Sequence, residues 1–119
     1  MTTLLHDDRL LALKVGYEAT DWNNPISYAD YEKQLESWDV QAVVRDGECI
    51  GAIFRKNGEV HASILPKWRK RWATRGLLRA MFSGEEVKTR VSVGHEYMHD
   101  ILARLGFKSA ENGYFVRTH

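Results

Sequence analysis

The chain has 119 residues, of which 44% are hydrophobic and 28% charged, a composition typical of one globular domain with its own core. Its formal net charge of +1 indicates no class of partner, so only the local distribution of charge is informative. A single cysteine, Cys49, excludes an internal disulfide and is typical of a reducing compartment or a virion interior. A chain of this length predicts one domain, over residues 1-119. There is no run of 18 apolar residues and no pattern of a signal peptide, so we expect no membrane partner.

Two helices are predicted in the first third of the chain. Asp7 or Asp8 can cap a helix whose apolar residues continue to about Gly16. Ser27 begins a second helix in a capping arrangement, with Asp30 three residues later. The Asp-Trp-Asn-Asn-Pro stretch between the two has the residues of a loop.

Three strand-like runs follow the helices. They cover residues 40–45, 48–55 and 60–65, and the turns between them are Asp46-Gly47 and Asn57-Gly58. Asp-Gly and Asn-Gly between β-rich segments are strong hairpin signals, so the three runs are predicted to form an antiparallel meander. Alternation along the third run places His61 and Ser63 on one face.

The second half of the chain alternates between helical and extended spacing of apolar residues. The spacing predicts a helix from about Arg71 to Phe82, a strand from Val87 to Val93, a helix from His95 to Leu105, and a final hairpin of residues 107–110 and 114–118. The element order is therefore α-α-β-β-β-α-β-α-β-β, which predicts an α/β domain with a mixed sheet.

The turn after the third strand is strongly basic and contains no acid. Its cations are Lys67, Arg69, Lys70, Arg71 and Arg75. Cations at a helix N-terminus oppose the helix dipole at about 0.3–1 kcal/mol each, so their presence suggests a bound phosphate, nucleotide or nucleic acid. Trp68 and Trp72 in the same turn would stack on bases. The alternatives are a solvated basic turn and tryptophans that cover the core.

Two runs of residues, 64–78 and 102–107, carry a resemblance to a known family. They read Ile-Leu-Pro-Lys-Trp-Arg-Lys-Arg-Trp-Ala-Thr-Arg-Gly-Leu-Leu and Leu-Ala-Arg-Leu-Gly-Phe. They resemble the Val-x-Pro-Glu-Tyr-Arg-Gly-x-Gly-x-Gly/Ala-x-x-Leu-Leu and Tyr-x-x-x-Gly-Phe runs of the GCN5-related N-acetyltransferases (GNATs). The resemblance covers about residues 8–118. It implies a GNAT-like α/β fold with a mixed, mostly antiparallel sheet flanked by helices and open between its fourth and fifth visible strand segments. The family's first strand is not visible at the N-terminus.

The resemblance also implies which residues correspond to the loop that holds the diphosphate of acetyl-CoA in the family. They are Leu65, Arg69, Lys70, Arg71, Trp72, Ala73 and Thr74. Family members have glycine or another small residue at the positions of Trp72 and Thr74, which lets backbone amides approach the cofactor. An indole has more than about 150 Å² of surface, so Trp72 is expected to obstruct this loop.

A second departure concerns the general acid. The tyrosine that commonly protonates the leaving thiolate in the family corresponds to Leu102, which has no proton to donate, and the asparagine at the start of that helix corresponds to His95. We therefore interpret the chain as a GNAT-like protein that has lost acetyl transfer and needs no cofactor. Acetyl-CoA is expected only if the chain is an enzyme.

The same pattern is similar to small acetyltransferase-like proteins of short-tailed bacteriophages, including head-assembly and internal virion proteins. The shared run here is Val93-Gly94, Leu102 and Gly106, and residues 63–69, which read Ser-Ile-Leu-Pro-Lys-Trp-Arg, look like a phage head-assembly family. This resemblance implies an accessory protein of bacteriophage head assembly, located in the bacterial host cytoplasm or the virion, with a protein partner in the particle or an assembly intermediate. Nucleic acid or phosphate at the basic turn is the other expected partner. Two alternatives stay open: an acetyl-CoA-dependent N-acetyltransferase with an atypical cofactor loop, and a nucleic-acid-binding module.

Candidate catalytic residues can be named by position only. If transfer chemistry survives, Glu59 or His61 on the central strand would deprotonate the acceptor amine, and Tyr97 or Tyr114 would serve as the substitute acid.

A zinc-hydrolase pattern, His-Glu-x-x-His, occurs at residues 95–99. His95 and His99 lie one helical turn apart and could bind one metal ion, with Glu96 polarising a water molecule. No third ligand follows at the spacing of the extended motif, so the sequence favours a solvated helix face without metal.

Overall fold

The computed structural model describes residues 3–20, 25–84, 86–91 and 96–118. The strands are β1 Thr3–His6, β2 Asp39–Arg45, β3 Glu48–Lys56, β4 Glu59–Ile64, β5 Glu86–Arg90, β6 Lys108–Ser109 and β7 Tyr114–Thr118. The helices are α1 Arg9–Ala19, α2 Tyr28–Gln34, α3 Arg75–Met81 and α4 Met98–Arg104. Within these described ranges the strands form one sheet in the order β1-β2-β3-β4-β5-β7-β6, in which only β4 and β5 pair in parallel. The predicted α/β class, with a mixed and mostly antiparallel sheet flanked by helices, is confirmed.

A first strand that the sequence did not reveal, β1, precedes the helices. It pairs antiparallel with β2, and Leu5 lies opposite Val43. Four residues are too few to show a reliable alternation of apolar and polar side chains, and the partner strand follows only after two helices. Because β1 is an edge strand, Leu4 remains 50% exposed.

The caps of the first two helices are as predicted. Asp8 accepts a hydrogen bond from Leu11 N, and Ser27 accepts one from Asp30 N. Helix α1 continues past Gly16, where the prediction ended it. A Cβ atom on Gly16 would lie 2.8 Å from Tyr31 Oη, so this glycine serves close packing of α1 on its neighbours.

Both predicted hairpin turns are confirmed. Asp46 and Asn57 have φ angles of 52° and 49°, and the glycines that follow them, Gly47 and Gly58, have φ angles of 80° and 83°. Two successive residues with positive φ define a type I′ turn, which Asp-Gly and Asn-Gly favour. Strands β2, β3 and β4 therefore form the predicted antiparallel meander.

Helix α3 begins at Arg75, four residues later than predicted. Thr74 is its N-cap, and Thr74 Oγ1 accepts a hydrogen bond from Leu77 N at 3.3 Å. The chain before it forms a 3₁₀ turn over Pro66–Trp68 and then an irregular turn. Arginine and lysine have good helix propensity, which let the predicted helix extend too far back. Most of the basic residues therefore precede the helix instead of occupying its first turn.

The sheet opens between β4 and β5. These strands share one register pair, Glu59 opposite Lys88, next to a hydrogen bond of 2.9 Å from Lys88 N to Gly58 O. Since β1 was not visible in the sequence, β4 is the third and β5 the fourth of the predicted strand segments, and the opening lies between these two. The prediction that it lies between the fourth and fifth was wrong, because β7 lies between β5 and β6 and pairs with both. Residues 92–95, which include the predicted end of this strand and start of the next helix, lie outside the described residues.

Apolar side chains cover both faces of the sheet. On the face of α3 and α4, the largest buried side chains are those of Trp72 and Phe82. On the face of α1 and α2, Leu13, Tyr31 and Phe54 form a second cluster. Across the described ranges, no helix has both the length and the apolar character needed to cross a bilayer.

Candidate functional site

A narrow cleft lies where β4 and β5 separate. Ala62 and residues 89–91 line it from the strands, and Met98 and Leu102 line it from α4. The indole of Trp72 also lines the cleft and is only 1% exposed. The volume that remains is about 30 Å³. On this measure a cavity needs about 10–15 Å³ to hold one water molecule, so the cleft beside Trp72 has space for only one or two water molecules.

A hydrogen bond fixes the indole in this position. Trp72 Nε1 donates to Tyr97 Oη at 2.6 Å. Burial raises the pKa of Tyr97, and the hydrogen bond from Trp72 and the charge of Arg69 offset this rise only in part. The hydroxyl therefore stays protonated at neutral pH, and its oxygen accepts the indole N–H.

The turn that carries Trp72 is held from both ends. Arg69 donates from Nε to Ile64 O at 3.3 Å and from Nη2 to Ala19 O at 3.2 Å. Thr74 N donates to Trp72 O at 3.0 Å. These bonds fix the backbone on both sides of the tryptophan, so its ring points into the core between the strands.

A second, wider pocket lies on the opposite face of β4. It has a volume of about 220 Å³, and its lining residues are Thr20, Tyr31, Gln34, Leu35, Trp38, Phe54, Glu59, His61 and Ser63. Glu59, His61 and Ser63 share this face because side chains alternate along a strand. The ring of Trp38 lies 5.8 Å from the ring of His61.

A carboxylate and an imidazole meet inside this pocket. His61 Nε2 lies 2.5 Å from Glu59 Oε2, and Lys88 Nζ lies 3.6 Å from Glu59 Oε1. Burial acts to raise the pKa of Glu59, but the hydrogen bond from His61 and the charges of His61 and Lys88 outweigh it and hold that pKa below its ordinary value. Glu59 is therefore ionised at neutral pH and can attract a cationic group of a ligand or orient the imidazole.

Comparison with known proteins identifies the fold. No protein-family model matches the chain, and no curated protein matches it in sequence. A solved structure from Bordetella pertussis, described as a GnaT-family acetyltransferase, superposes over 98% of both chains with a TM-score of 0.55 and 12% sequence identity. The fold is that of the GNATs. At this identity the likeness concerns the fold alone.

Several residues predicted to form the GNAT cofactor loop make hydrogen bonds or core contacts within the protein. Leu65 N donates to Ile50 O at 2.9 Å, and the Thr74 side chain accepts from the amide of Leu77. Ala73 is half-buried and packs against the core, whereas Lys70 and Arg71 are exposed. The ring of Trp72 lies buried in the cleft beside β4. That this ring obstructs a diphosphate at the loop stays a prediction.

The four predicted catalytic residues fall at different places in the GNAT-like fold. Glu59 and His61, proposed as separate candidates, are joined in the 220 Å³ pocket. Tyr97 is hydrogen-bonded to Trp72 on the other face. Tyr114 lies on β7 beneath Lys88 Nζ, 5.2 Å from its ring centroid, and does not line either pocket.

The zinc prediction cannot be followed at both histidines, since His95 lies outside the described residues. His99 is exposed, and its ring lies 5.4 Å from that of Phe115. Within the described part of the chain, no group of three or more histidine, cysteine, aspartate or glutamate residues is arranged to hold a metal ion.

The sequence analysis placed only Glu59, His61 and Ser63 on this face of the strand and missed six lining residues of the wider pocket: Thr20, Tyr31, Gln34, Leu35, Trp38 and Phe54. Gln34 ends α2 and Trp38 lies just before β2, so no alternation or motif marks either of them. Their position depends on how α1 and α2 pack on the sheet, which the sequence pattern does not specify.

Proposed function

We propose that this chain is a GNAT-like protein that acts by binding and does not transfer acetyl groups from acetyl-CoA. The observation that supports this is the buried indole of Trp72, which fills the opening between β4 and β5 and is hydrogen-bonded to Tyr97. A cofactor held at the β4–α3 turn would need to lay its chain in the gap beside that turn. The residues present do not fit acetyl-CoA.

Calorimetric titration of acetyl-CoA tests this proposal. The wild-type protein should give no heat above dilution, because the cleft is closed. Trp72→Gly, which removes the ring, is compared with Trp38→Gly, which removes an indole from the other face of the sheet. Binding in Trp72→Gly alone would locate the obstruction in that side chain, with circular dichroism to show that both variants are folded. Micromolar binding by the wild-type protein would contradict the proposal.

We further propose that this binding protein serves in bacteriophage head assembly. The support is the resemblance of Val93-Gly94, Leu102 and Gly106 to small acetyltransferase-like phage proteins. The partner would then be a protein of the particle or of an assembly intermediate, in the host cytoplasm or the virion. Mass spectrometry of purified particles and assembly intermediates from the phage or prophage that encodes the chain is the test. Absence of the chain from all of them would contradict this role.

An acetyltransferase remains a second candidate because the Glu59 carboxylate and the His61 imidazole, either of which could accept a proton, are in contact in a pocket of about 220 Å³. The distinguishing measurement is release of free coenzyme A from acetyl-CoA in the presence of a mixture of primary amines. Turnover that is lost in Glu59→Gln would favour the enzyme, and the absence of turnover would favour the binding protein.

A further inference from the structure

The positive charge of this chain is concentrated in one segment. Residues 60–84 contain six lysines and arginines and no acid, so they carry a charge of +6, while the rest of the chain carries −5. A net charge of +1 therefore conceals a strong asymmetry of charge along the chain.

Three cations, two of them in this segment and one on β2, gather around one indole. Arg45 Cζ, Lys67 Nζ and Arg71 Cζ lie 5.3, 5.6 and 4.8 Å from the ring centroid of Trp68. We call these four residues the Trp68 cluster. A cation near an aromatic face gains about 0.5–1 kcal/mol at an exposed site, which offsets part of the repulsion between neighbouring like charges.

Backbone carbonyls fix the two guanidinium groups of the Trp68 cluster. Arg45 Nη1 donates to Arg71 O at 2.6 Å, and Arg71 Nη2 donates to Lys67 O at 3.2 Å. Each guanidinium keeps further N–H donors, because it has five in all. The cluster therefore presents preorganised donors, and Lys67 and Arg71 are exposed to solvent.

No carboxylate of the described residues neutralises these cations. Among the described residues, Arg45, Lys67 and Arg71 form no ion pair with an acid. The acids nearest in sequence are Asp46 and Glu48, both exposed on the β2–β3 hairpin, where Glu48 is the strand partner of Arg45. Cations that are held in place, reach solvent and form no ion pair with an acid can bind an anionic partner.

We infer that the Trp68 cluster binds the phosphate backbone of nucleic acid without sequence preference. Protein partners are usually anchored by an apolar or aromatic side chain, but here the cations lie around the half-buried indole of Trp68, and Trp72 is buried. Arginine forks match phosphate oxygens, and such contacts carry no information on base sequence. The inference rests on the binding function proposed above, for which it names a partner and a surface.

The test is fluorescence anisotropy of a labelled random-sequence DNA duplex at several salt concentrations. Three phosphate contacts predict that log Kd rises with log salt with a slope of about 3. Lys67→Ala/Arg71→Ala should weaken binding about tenfold or more at low salt and reduce the slope by about 2. Lys67→Arg/Arg71→Lys keeps both charges and should retain most of the affinity.

The matched control is Lys14→Ala/Arg104→Ala, which removes one lysine and one arginine from exposed positions on α1 and α4. It leaves the same net charge as the cluster variant and should change Kd less than twofold. Equal losses in both variants, or no binding at low salt, would overturn the inference. Equal competition by polyglutamate would overturn it in favour of an acidic protein. The acetyl-CoA titration reports on the cleft and not on this cluster, so failure of one proposal is distinguishable from failure of the other.

Discussion

At the scale of single residues, the buried indole of Trp72 determines how little space remains in the cleft between β4 and β5. Burying an indole with 150–250 Å² of surface contributes about 4–6 kcal/mol. Its N–H is satisfied by Tyr97, so the polar atom adds no desolvation cost. A ligand that displaced the ring into solvent would lose this free energy from its own affinity, a factor of more than about 10³.

Glu59 makes stability depend on pH, and the sign follows from its lowered pKa. A carboxyl group with a lowered pKa in the folded state stabilises that state fully above its ordinary value of 4.5. The stabilisation is lost as the pH falls through the lower, folded-state value. Glu59→Gln should therefore reduce the free energy of unfolding at neutral pH, and this difference should shrink at about pH 3.

Urea denaturation of the wild type and Glu59→Gln at both pH values measures this effect. Glu48→Gln is the control, since Glu48 is exposed and takes part in no ion pair within the described residues. A deficit in Glu59→Gln that stays constant with pH would show that the His61 and Lys88 contacts are not electrostatic in origin.

At the scale of elements, the start of α3 distinguishes this chain from the pattern that it resembles. Thr74 caps the helix with its own hydroxyl, so the Leu77 amide is already bonded within the protein. The basic residues around Trp68 lie before the helix and form a surface of their own. The sequence predicted that the basic residues lie at the N-terminus of this helix. Because α3 begins four residues later than predicted, most of them lie before the helix instead.

Removing this cap should cost a predictable amount. Thr74→Ala is expected to lower the free energy of unfolding by about 1 kcal/mol, since the first turn of α3 loses the acceptor for the Leu77 N–H group. Thr74→Ser keeps the hydroxyl and should restore most of the loss. Urea denaturation of the three proteins measures both effects, and equal stability of Thr74→Ala and the wild type would rule out a role for the cap.

At the scale of the whole molecule, two parts of the sheet meet at one point. Strands β1 to β4 form one part, and β5, β7 and β6 form the other. They are joined by the pair Glu59 and Lys88, with Gly58 O accepting from Lys88 N. The core cluster that contains Trp72 and Phe82, together with Val60 of β4 and Val87 of β5, also packs across the opening. The junction is therefore sensitive to small changes in backbone position.

Two glycines with nearly equal φ angles test this junction. A Cβ atom at Gly58, φ +83°, would lie 2.7 Å from Glu86 O, whereas one at Gly47, φ +80°, would have no atom within 4 Å among those considered. Gly47→Ala should cost about 1–2 kcal/mol for the left-handed conformation alone. Gly58→Ala should cost about 3 kcal/mol or more, because the strands must also move apart. Equal losses in urea denaturation would mean that the junction does not limit stability.

Local sequence was sufficient for the elements that depend on neighbouring residues. The caps at Asp8 and Ser27, the turns at Asn57 and the final hairpin were all predicted, because capping, turn conformation and alternation are short-range effects. The GNAT-like order of the central meander and the helix after it also followed from these signals. The pairing of Glu59 with His61 could be anticipated only as two residues on one strand face.

The remaining features arise from contacts between residues far apart in the chain. Strand β1 pairs with the edge of β2, which lies more than 30 residues later in the chain. Strand β5 pairs along its length with β7 and shares only one register pair with β4, so the sheet opens between β4 and β5. The local sequence did not determine the direction of the Trp72 ring, because the residues of this turn were compatible with a ring in solvent and with a ring in the core. Only the tertiary structure decided it: α4 brings Tyr97 within hydrogen-bonding distance, and the free energy of burying an indole exceeds that of leaving it in water.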